Sequence, residues 1–309
     1  MPRRNVVTRS AVGSADQAIS RRRRTRGSEP ATSVPPSIFI GNGNNVMMPL
    51  LPNRPNYATL RKHKGTAYVH VSDLLNKCSR KVALAYVHDV DVVEMAIFDS
   101  LSLTFRQGEA IHDHVRDVIS KSHPQETYAI WACRCGHTKY QGLLVDSLKQ
   151  KKCKKCDTEA DQHNEVPIHD DEYHIVGSPD LLLYRANAFY ITEIKSMAAR
   201  YWDQLERPLP EHIIQVIFYW VLMRRAGKPL HDHVSILYVN KEFRPSNPYK
   251  EYTVYVPDMV DRLGVYFTEA EGIKTAIAGG PLPARTVCQT QNTKTAKECE
   301  LCAICFSMG

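Results

Sequence analysis

Nine cysteines constrain this chain more than any other feature, through where they fall. One stands alone at Cys78, four lie mid-chain at Cys133, Cys135, Cys153 and Cys156, and four come near the end at Cys288, Cys299, Cys302 and Cys305. The count is odd, and no apolar segment follows the early arginines to serve as a secretory signal. Both facts argue against a disulfide framework and for thiolates holding metal in a reducing compartment. Two separate metal centres are the economical account. The expected location is cytoplasmic, or nuclear in a eukaryotic host.

The mid-chain group reads Cys133-x-Cys135-Gly136, sixteen residues, then Cys153-Lys-Lys-Cys156. Paired cysteines at such intervals suit tetrahedral Zn²⁺ in a ribbon. His137 is a possible substitute ligand, although four thiolates suffice. The segment, at about 127–166, carries little apolar content, so its folding is expected to require metal. Lys139, Lys149, Lys151, Lys152, Lys154 and Lys155 crowd the ligands. They would form a basic knob suited to phosphate, or simply keep an exposed ribbon soluble.

The rest of the composition is that of a soluble globular chain: 309 residues, 43% hydrophobic and 24% charged. Its longest apolar stretch, 213–223, is interrupted by Gln215 and falls far short of the ~20 residues of a membrane span, so no membrane association is expected. The net charge of +7 is unevenly placed. Residues 1–30 hold eight arginines against Asp16 and Glu29, a net +6, which leaves +1 for the remaining 279. Residues 1–56, rich in Arg, Ser, Pro, Gly and Asn, are expected to form a disordered basic arm. It would either attract phosphates or act as a solvated leader.

Residues 57–309 then form the folded domain, with the ribbon inserted at about 127–166 and a cysteine-rich tail at 285–309. Hydrophobic periodicity and capping signals place helices over 71–86, 93–120, 210–225 and 258–278. Strands are expected over 174–184 and 189–195, joined by a tight turn, and over 234–240 and 252–256.

The hairpin carries the sharpest chemistry. Gly177-Ser178-Pro179-Asp180 is followed, after twelve residues, by Glu193-Ile194-Lys195. Glu193 and Lys195 share one face of a strand, and a hairpin partner brings Asp180 beside them. Two adjacent carboxylates repel unless a cation lies between them, and oxygen ligands suit Mg²⁺ or Mn²⁺. A lysine beside that cation can position or deprotonate a water. The same pattern also describes a solvated hairpin with a Glu–Lys surface pair. However, Leu181–Leu183, Ile191 and Ile194 mark buried strands, in which unpaired charge is expensive. His112 could add a ligand. Gln215 and Tyr219 sit four apart on one face of an apolar helix, where they could contact a nucleic-acid strand or orient the lysine.

In this order the pieces resemble the PD-(D/E)XK nuclease superfamily, and more narrowly its RecB-like branch, which includes the CRISPR-associated exonucleases and the AddB nuclease domain. The matching positions are Gly108 and His112, Gly177 and Asp180, Glu193 and Lys195, and Gln215 and Tyr219. An acidic residue often follows the family histidine by a turn; here that place holds Arg116, with Asp113 and Asp117 nearby. The resemblance implies an α/β restriction-endonuclease-like core, with a central mixed sheet flanked by helices. It implies a metal-dependent deoxyribonuclease in which His112, Asp180, Glu193 and the Ile194 carbonyl hold Mg²⁺ or Mn²⁺. Lys195 would activate or align water, and Gln215 and Tyr219 would line the strand path. The implied partner is DNA, as single strands or free ends, cut by an exonuclease in recombination, repair or DNA processing.

Cys78, in a helix ending Cys-x-Arg, resembles the first ligand of that branch's [4Fe–4S] cluster, whose other ligands come from the C-terminus. Cys299 and Cys305 reproduce the family's five-residue interval. Cys288 is the favoured remaining ligand, with Cys302 the alternative. A small zinc knot in the tail is the competing account. Two further functional readings stay open: a non-catalytic nucleic-acid-binding module, and a restriction-type endonuclease using the same site.

Overall fold

The computed structural model describes residues 61–63, 66–76, 78–87, 99–242, 247–299 and 301–308. All of them belong to the unit Asn53–Gly309, and the basic arm expected at 1–56 lies outside the described residues. Strands β1 (Arg61–His63) and β2 (Thr66–His70) lead to helices α1 (Val71–Asn76), α2 (Ser79–Val87) and α3 (Asp99–Ser122). The cysteine-bearing insertion holds β3 (Thr127–Ala132), β4 (Lys139–Leu143), α4 (Leu144–Ser147) and β5 (Gln162–Asn164). Then come β6 (Ile168–Asp170), β7 (Ile175–Gly177), β8 (Leu181–Arg185) and β9 (Ala188–Met197). A crossover through α5 (Ala199–Trp202) and α6 (Pro210–Arg225) reaches β10 (His233–Asn240) and β11 (Tyr249–Tyr255). A 3₁₀ segment, Pro257–Leu263, runs into α7 (Gly264–Ile277), and α8 (Lys294–Lys297) and α9 (Cys302–Ser307) follow.

The central sheet has the order β11-β10-β9-β8-β3-β4, with β5 also on β3. It is mixed: β9 and β10 are parallel, and the other pairs antiparallel. A smaller sheet, β1-β2-β7-β6, includes the parallel pair β2–β7. Strand alternation assigns the two faces of the central sheet. Ile191, Val234, Ile236 and Tyr238 pack with α6, while Ile194 and Val239 meet Ile111 and Val115 of α3. Helix α6 also packs on β6 and β7, so it is wedged between both sheets. That explains why Val216 through Met223 are all buried and why its sequence is apolar nearly all round.

The structure differs from the periodicity reading in four places, the first being that the helix expected over 258–278 opens as the 3₁₀ segment Pro257–Leu263 and becomes α-helical only from Gly264. The helix expected over 71–86 is two, and Cys78 begins the second: its carbonyl accepts from the Val82 amide at 3.0 Å. The strand expected over 174–184 is also two, β7 and β8, in different sheets. Between them the Ser178-Pro179-Asp180 corner carries the chain from one sheet to the other. The segment expected to be a separate ribbon contributes β3 and β4 to the central sheet, through Thr127 and Tyr128 against Leu183 and Leu182. It has a small core of its own, Ala129, Trp131, Leu144 and Ala160. Among the described residues no helix is long and apolar enough to cross a membrane.

Candidate active site

The corner between the sheets sets Asp180 at the mouth of β8, where it is 6% exposed. Its Oδ2 accepts the Ile194 amide at 2.8 Å, so the backbone of β9 holds it. Its Oδ1 lies 3.2 Å from His112 Nδ1 and 3.6 Å from Arg116 Nη1, both on α3. Those two residues are four apart and therefore share a face of the helix. Gly108 lies one turn earlier; a Cβ there would stand 3.0 Å from Ser196 Oγ, so the glycine permits close packing of α3 on β9.

Glu193 and Lys195 project from the α6 face of β9. Lys195 Nζ donates to Glu193 Oε1 at 2.7 Å and to Gln215 Oε1 at 2.8 Å. Gln215 Nε2 in turn donates to the Tyr219 hydroxyl at 2.7 Å. The four side chains form one chain of hydrogen bonds running from the sheet into α6. Tyr219 is 1% exposed. Its ring is therefore closed to a nucleic-acid strand, which corrects the strand-lining role expected for it: its hydroxyl fixes Gln215, and Gln215 fixes Lys195.

Two carboxylates in so dry a place are electrostatically costly. Burial, and next the charge of Asp180, push the Glu193 carboxyl up to about 8, against the pull of Lys195. Asp180 moves the other way. Burial alone would raise it, but the His112 hydrogen bond, the Ile194 amide and Lys195 together hold it below its ordinary value. Glu193 Oε2 is buried without a hydrogen-bond partner. Leaving such an atom unsatisfied costs ~1–3 kcal/mol or more. An orphaned carboxylate oxygen, a second carboxylate and an imidazole are by their chemistry ligands for a hard divalent cation, although among the described residues the ligand atoms of Glu193, Asp180 and His112 do not all lie within 4.8 Å of one another.

Sequence reasoning did not find Glu165 or His163. Glu165 reaches Arg116 from the end of the insertion, its Oε1 2.7 Å from Nη1. His163, on β5, packs edge-on to Trp131, and both its ring nitrogens are buried without partners. Neither lies in a spacing motif, and only the pairing of β5 with β3 brings them to the site.

The mid-chain thiols form a tight group. The Sγ atoms of Cys133, Cys135, Cys153 and Cys156 all lie within 4.8 Å of one another, the one such group of metal-ligating atoms among the described residues. The Cys133–Cys135 and Cys135–Cys153 separations are 3.6 and 3.7 Å. A regular ZnS₄ tetrahedron with ~2.3 Å bonds has edges of about 3.8 Å, so these four could bind a metal ion. Each knuckle turns through a left-handed residue after its second cysteine, Gly136 (φ 69°) and Asp157 (φ 53°). His137 is not in the group.

The other five cysteines come together from the two ends of the domain. Cys78, Cys288, Cys299, Cys302 and Cys305 all line one cavity of about 480 Å³. Arg80 braces that region, donating to the carbonyls of Pro283 at 2.9 Å and Met308 at 3.0 Å. Arg285 donates to the Cys305 carbonyl at 2.6 Å. Cys288 and Cys302 both line the cavity, so it accommodates either as the remaining ligand.

A model of the PD-(D/E)XK nuclease superfamily matches residues 71–306, and the chain belongs to that superfamily. Among solved structures it is similar to LHK-Exo in complex with dAMP. That likeness is at 14% identity and a TM-score of 0.40, over 69% of this chain and 88% of the other. A second structure of that alkaline exonuclease, from Laribacter hongkongensis, gives 15% identity and a TM-score of 0.37 over the same shares. No curated protein matches.

Proposed function

We propose that this protein is a metal-dependent deoxyribonuclease, an exonuclease that works on single-stranded DNA ends in recombination, repair or DNA processing. The observation that carries the reading is the unpartnered Oε2 of Glu193. It sits in a buried site whose other groups are Asp180, His112 and the Lys195 ammonium. His112, Asp180, Glu193 and the Ile194 carbonyl would hold Mg²⁺ or Mn²⁺. Such an ion, when bound, supplies charge stabilisation at the scissile phosphate and acidifies water.

The protein's own groups do the rest. An ammonium has three N–H donors, and Lys195 uses two of them on Glu193 and Gln215. The third is free to orient the attacking water toward phosphorus. Tyr219, through Gln215, keeps the ammonium from swinging away.

In the same proposal, Cys133, Cys135, Cys153 and Cys156 bind Zn²⁺, and Cys78 with Cys288, Cys299 and Cys305 binds a [4Fe–4S] cluster, Cys302 being the alternative to Cys288. The spread of the second set around a cavity, in contrast to the tight mid-chain group, supports a polynuclear cluster over a single ion.

The test is degradation of end-labelled single- and double-stranded DNA with Mn²⁺ or Mg²⁺, beside Asp180→Ala and Glu193→Ala. Loss of degradation in both variants is expected. Equal degradation by all three proteins would remove the site assignment, and metal-independent binding without cleavage would favour a binding module. Visible absorbance of anaerobically purified protein, with and without Cys288→Ala or Cys302→Ala, reports the cluster and its ligand.

A further inference from the structure

Arg116 is a cationic group at this site whose charge the proposed chemistry leaves unused. Its side chain is 12% exposed and surrounded by three carboxylates. Nη2 donates to Asp113 at 2.8 Å and Nη1 to Glu165 at 2.7 Å. The third, Asp180, stands 3.6 Å from Nη1, close enough for ion pairing but too far for a hydrogen bond. Two of five guanidinium N–H donors are thus committed to carboxylates, leaving others for an incoming oxyanion.

The two committed partners are the wetter ones. The Asp113 side chain is 76% exposed and that of Glu165 38%, against 9% for Asp180. The carboxylate ends of Asp113 and Glu165 can be rehydrated when released, so a phosphate can replace them at less cost than it could replace Asp180. A planar fork of donors also matches phosphate oxygens better than a point charge does. His163, near enough to feel the Arg116 charge, has two buried ring nitrogens without a partner. Burial, and next the charge of Arg116, push that imidazole down to about 4, so it adds no competing positive charge at neutral pH.

We propose that Arg116 is a further catalytic residue: its guanidinium grips the phosphate being cleaved from the α3 side of Asp180, while Lys195 serves the water on the α6 face of β9. Glu165, delivered by the return strand of the cysteine-bearing insertion, holds the fork in place before DNA arrives. This rests on the nuclease reading above and adds the group that holds the substrate phosphate.

The experiment compares the wild type with Arg116→Ala, Arg116→Lys and, as an exposed control on the same helix, Lys121→Ala. Binding of a labelled single-stranded oligonucleotide is measured by anisotropy over a salt series without added divalent ion. Single-turnover cleavage is measured with Mn²⁺. Arg116→Ala should weaken binding about 5–10-fold and make the salt dependence shallower by about 0.7 in log–log slope. Its cleavage rate should fall about 100-fold, the scale of losing one donor to a transition-state oxyanion. Arg116→Lys should keep the salt slope but not the rate, with partial recovery on adding guanidinium ion. Lys121→Ala should match the wild type.

Cleavage that vanishes in Asp180→Ala while Arg116→Ala binds and cuts normally would overturn the assignment and leave the nuclease reading standing. Arg116-dependent binding by a wild type that cuts nothing would instead remove the nuclease reading and keep the phosphate grip. Neither cleavage nor Arg116-dependent binding would overturn both.

Discussion

A Cβ placed on Gly177 would stand 2.7 Å from Cε1 of Tyr219, inside any real contact distance. The glycine that ends β7 is there because the tyrosine ring of α6 lies against its backbone, and that tyrosine anchors Gln215 and Lys195. Gly177→Ala should therefore act twice. Overpacking should cost about 1–3 kcal/mol of stability, measured by chemical denaturation. Cleavage at a temperature where the variant is still folded should drop as well, because the ring can yield only by pulling on Gln215. Tyr219→Phe keeps the packing and removes the hydroxyl, so it should lower the rate with little loss of stability.

Glu193 makes metal affinity depend on pH. With the carboxyl raised to about 8 in the metal-free protein, it is mostly protonated at pH 7, and a cation must displace that proton. Affinity for Mn²⁺ should rise about tenfold per pH unit up to about 8 and then level off. Calorimetric titration in two buffers of different ionisation enthalpy should detect close to one proton released at pH 7, and none in Glu193→Gln. The linkage to folding has a definite sign. An unfolded glutamate ionises near its ordinary value while the folded one resists, so this group's contribution to metal-free stability falls as pH climbs from about 4.5 to 8.

His212 has the opposite sign. Burial, and next the Lys195 charge, push its imidazole down to about 3, with its Nδ1 2.7 Å from the Tyr238 hydroxyl. The unfolded chain takes up a proton below about 6.5 that the folded chain refuses, so stability is full above that pH and is lost as pH falls. Between pH 7 and 5 the wild type should lose about 2 kcal/mol more than His212→Gln does, by urea denaturation at the two pH values.

Removing the metal proposed for the four mid-chain thiolates should unfold the knuckles alone. Trp131 is fully buried and donates to the Gly142 carbonyl at 2.8 Å, and β3 is paired to β8. Those contacts do not involve the thiols. If the four thiolates hold the zinc proposed for them, Cys153→Ala should contain one metal ion fewer than the wild type by elemental analysis and gain protease cleavage between residues 133 and 158. The Trp131 fluorescence and the main thermal transition should change little. Global unfolding on chelation would show that β3 and β4 depend on the ion after all.

Much of the site was legible because its motifs are local. Glu193 and Lys195 alternate on one strand, Gln215 and Tyr219 recur on one helix face, and the mid-chain cysteines come in pairs. Periodicities of two and of four residues fix these relations whatever the rest of the chain does. The superfamily was readable for the same reason. Helix α6 was also plain, since its Pro and Gly punctuation is written in neighbouring residues.

Other features depend on how distant segments meet. Nothing around residue 165 says that its carboxylate will face Arg116, because that contact is made by β5 pairing with β3, more than thirty residues upstream. Tyr219 reads from sequence as a residue that could face DNA; the second sheet closing over α6 buries it. The split of one expected strand into β7 and β8 likewise follows from two sheets competing for it at a proline corner. The sequence by itself determined which side chains share an element and a face, since backbone geometry repeats over a few residues. Which of those faces meet, which charges are dehydrated and which oxygen is left without a partner were decided only by the tertiary structure, because desolvation and pairing depend on groups far apart in the chain.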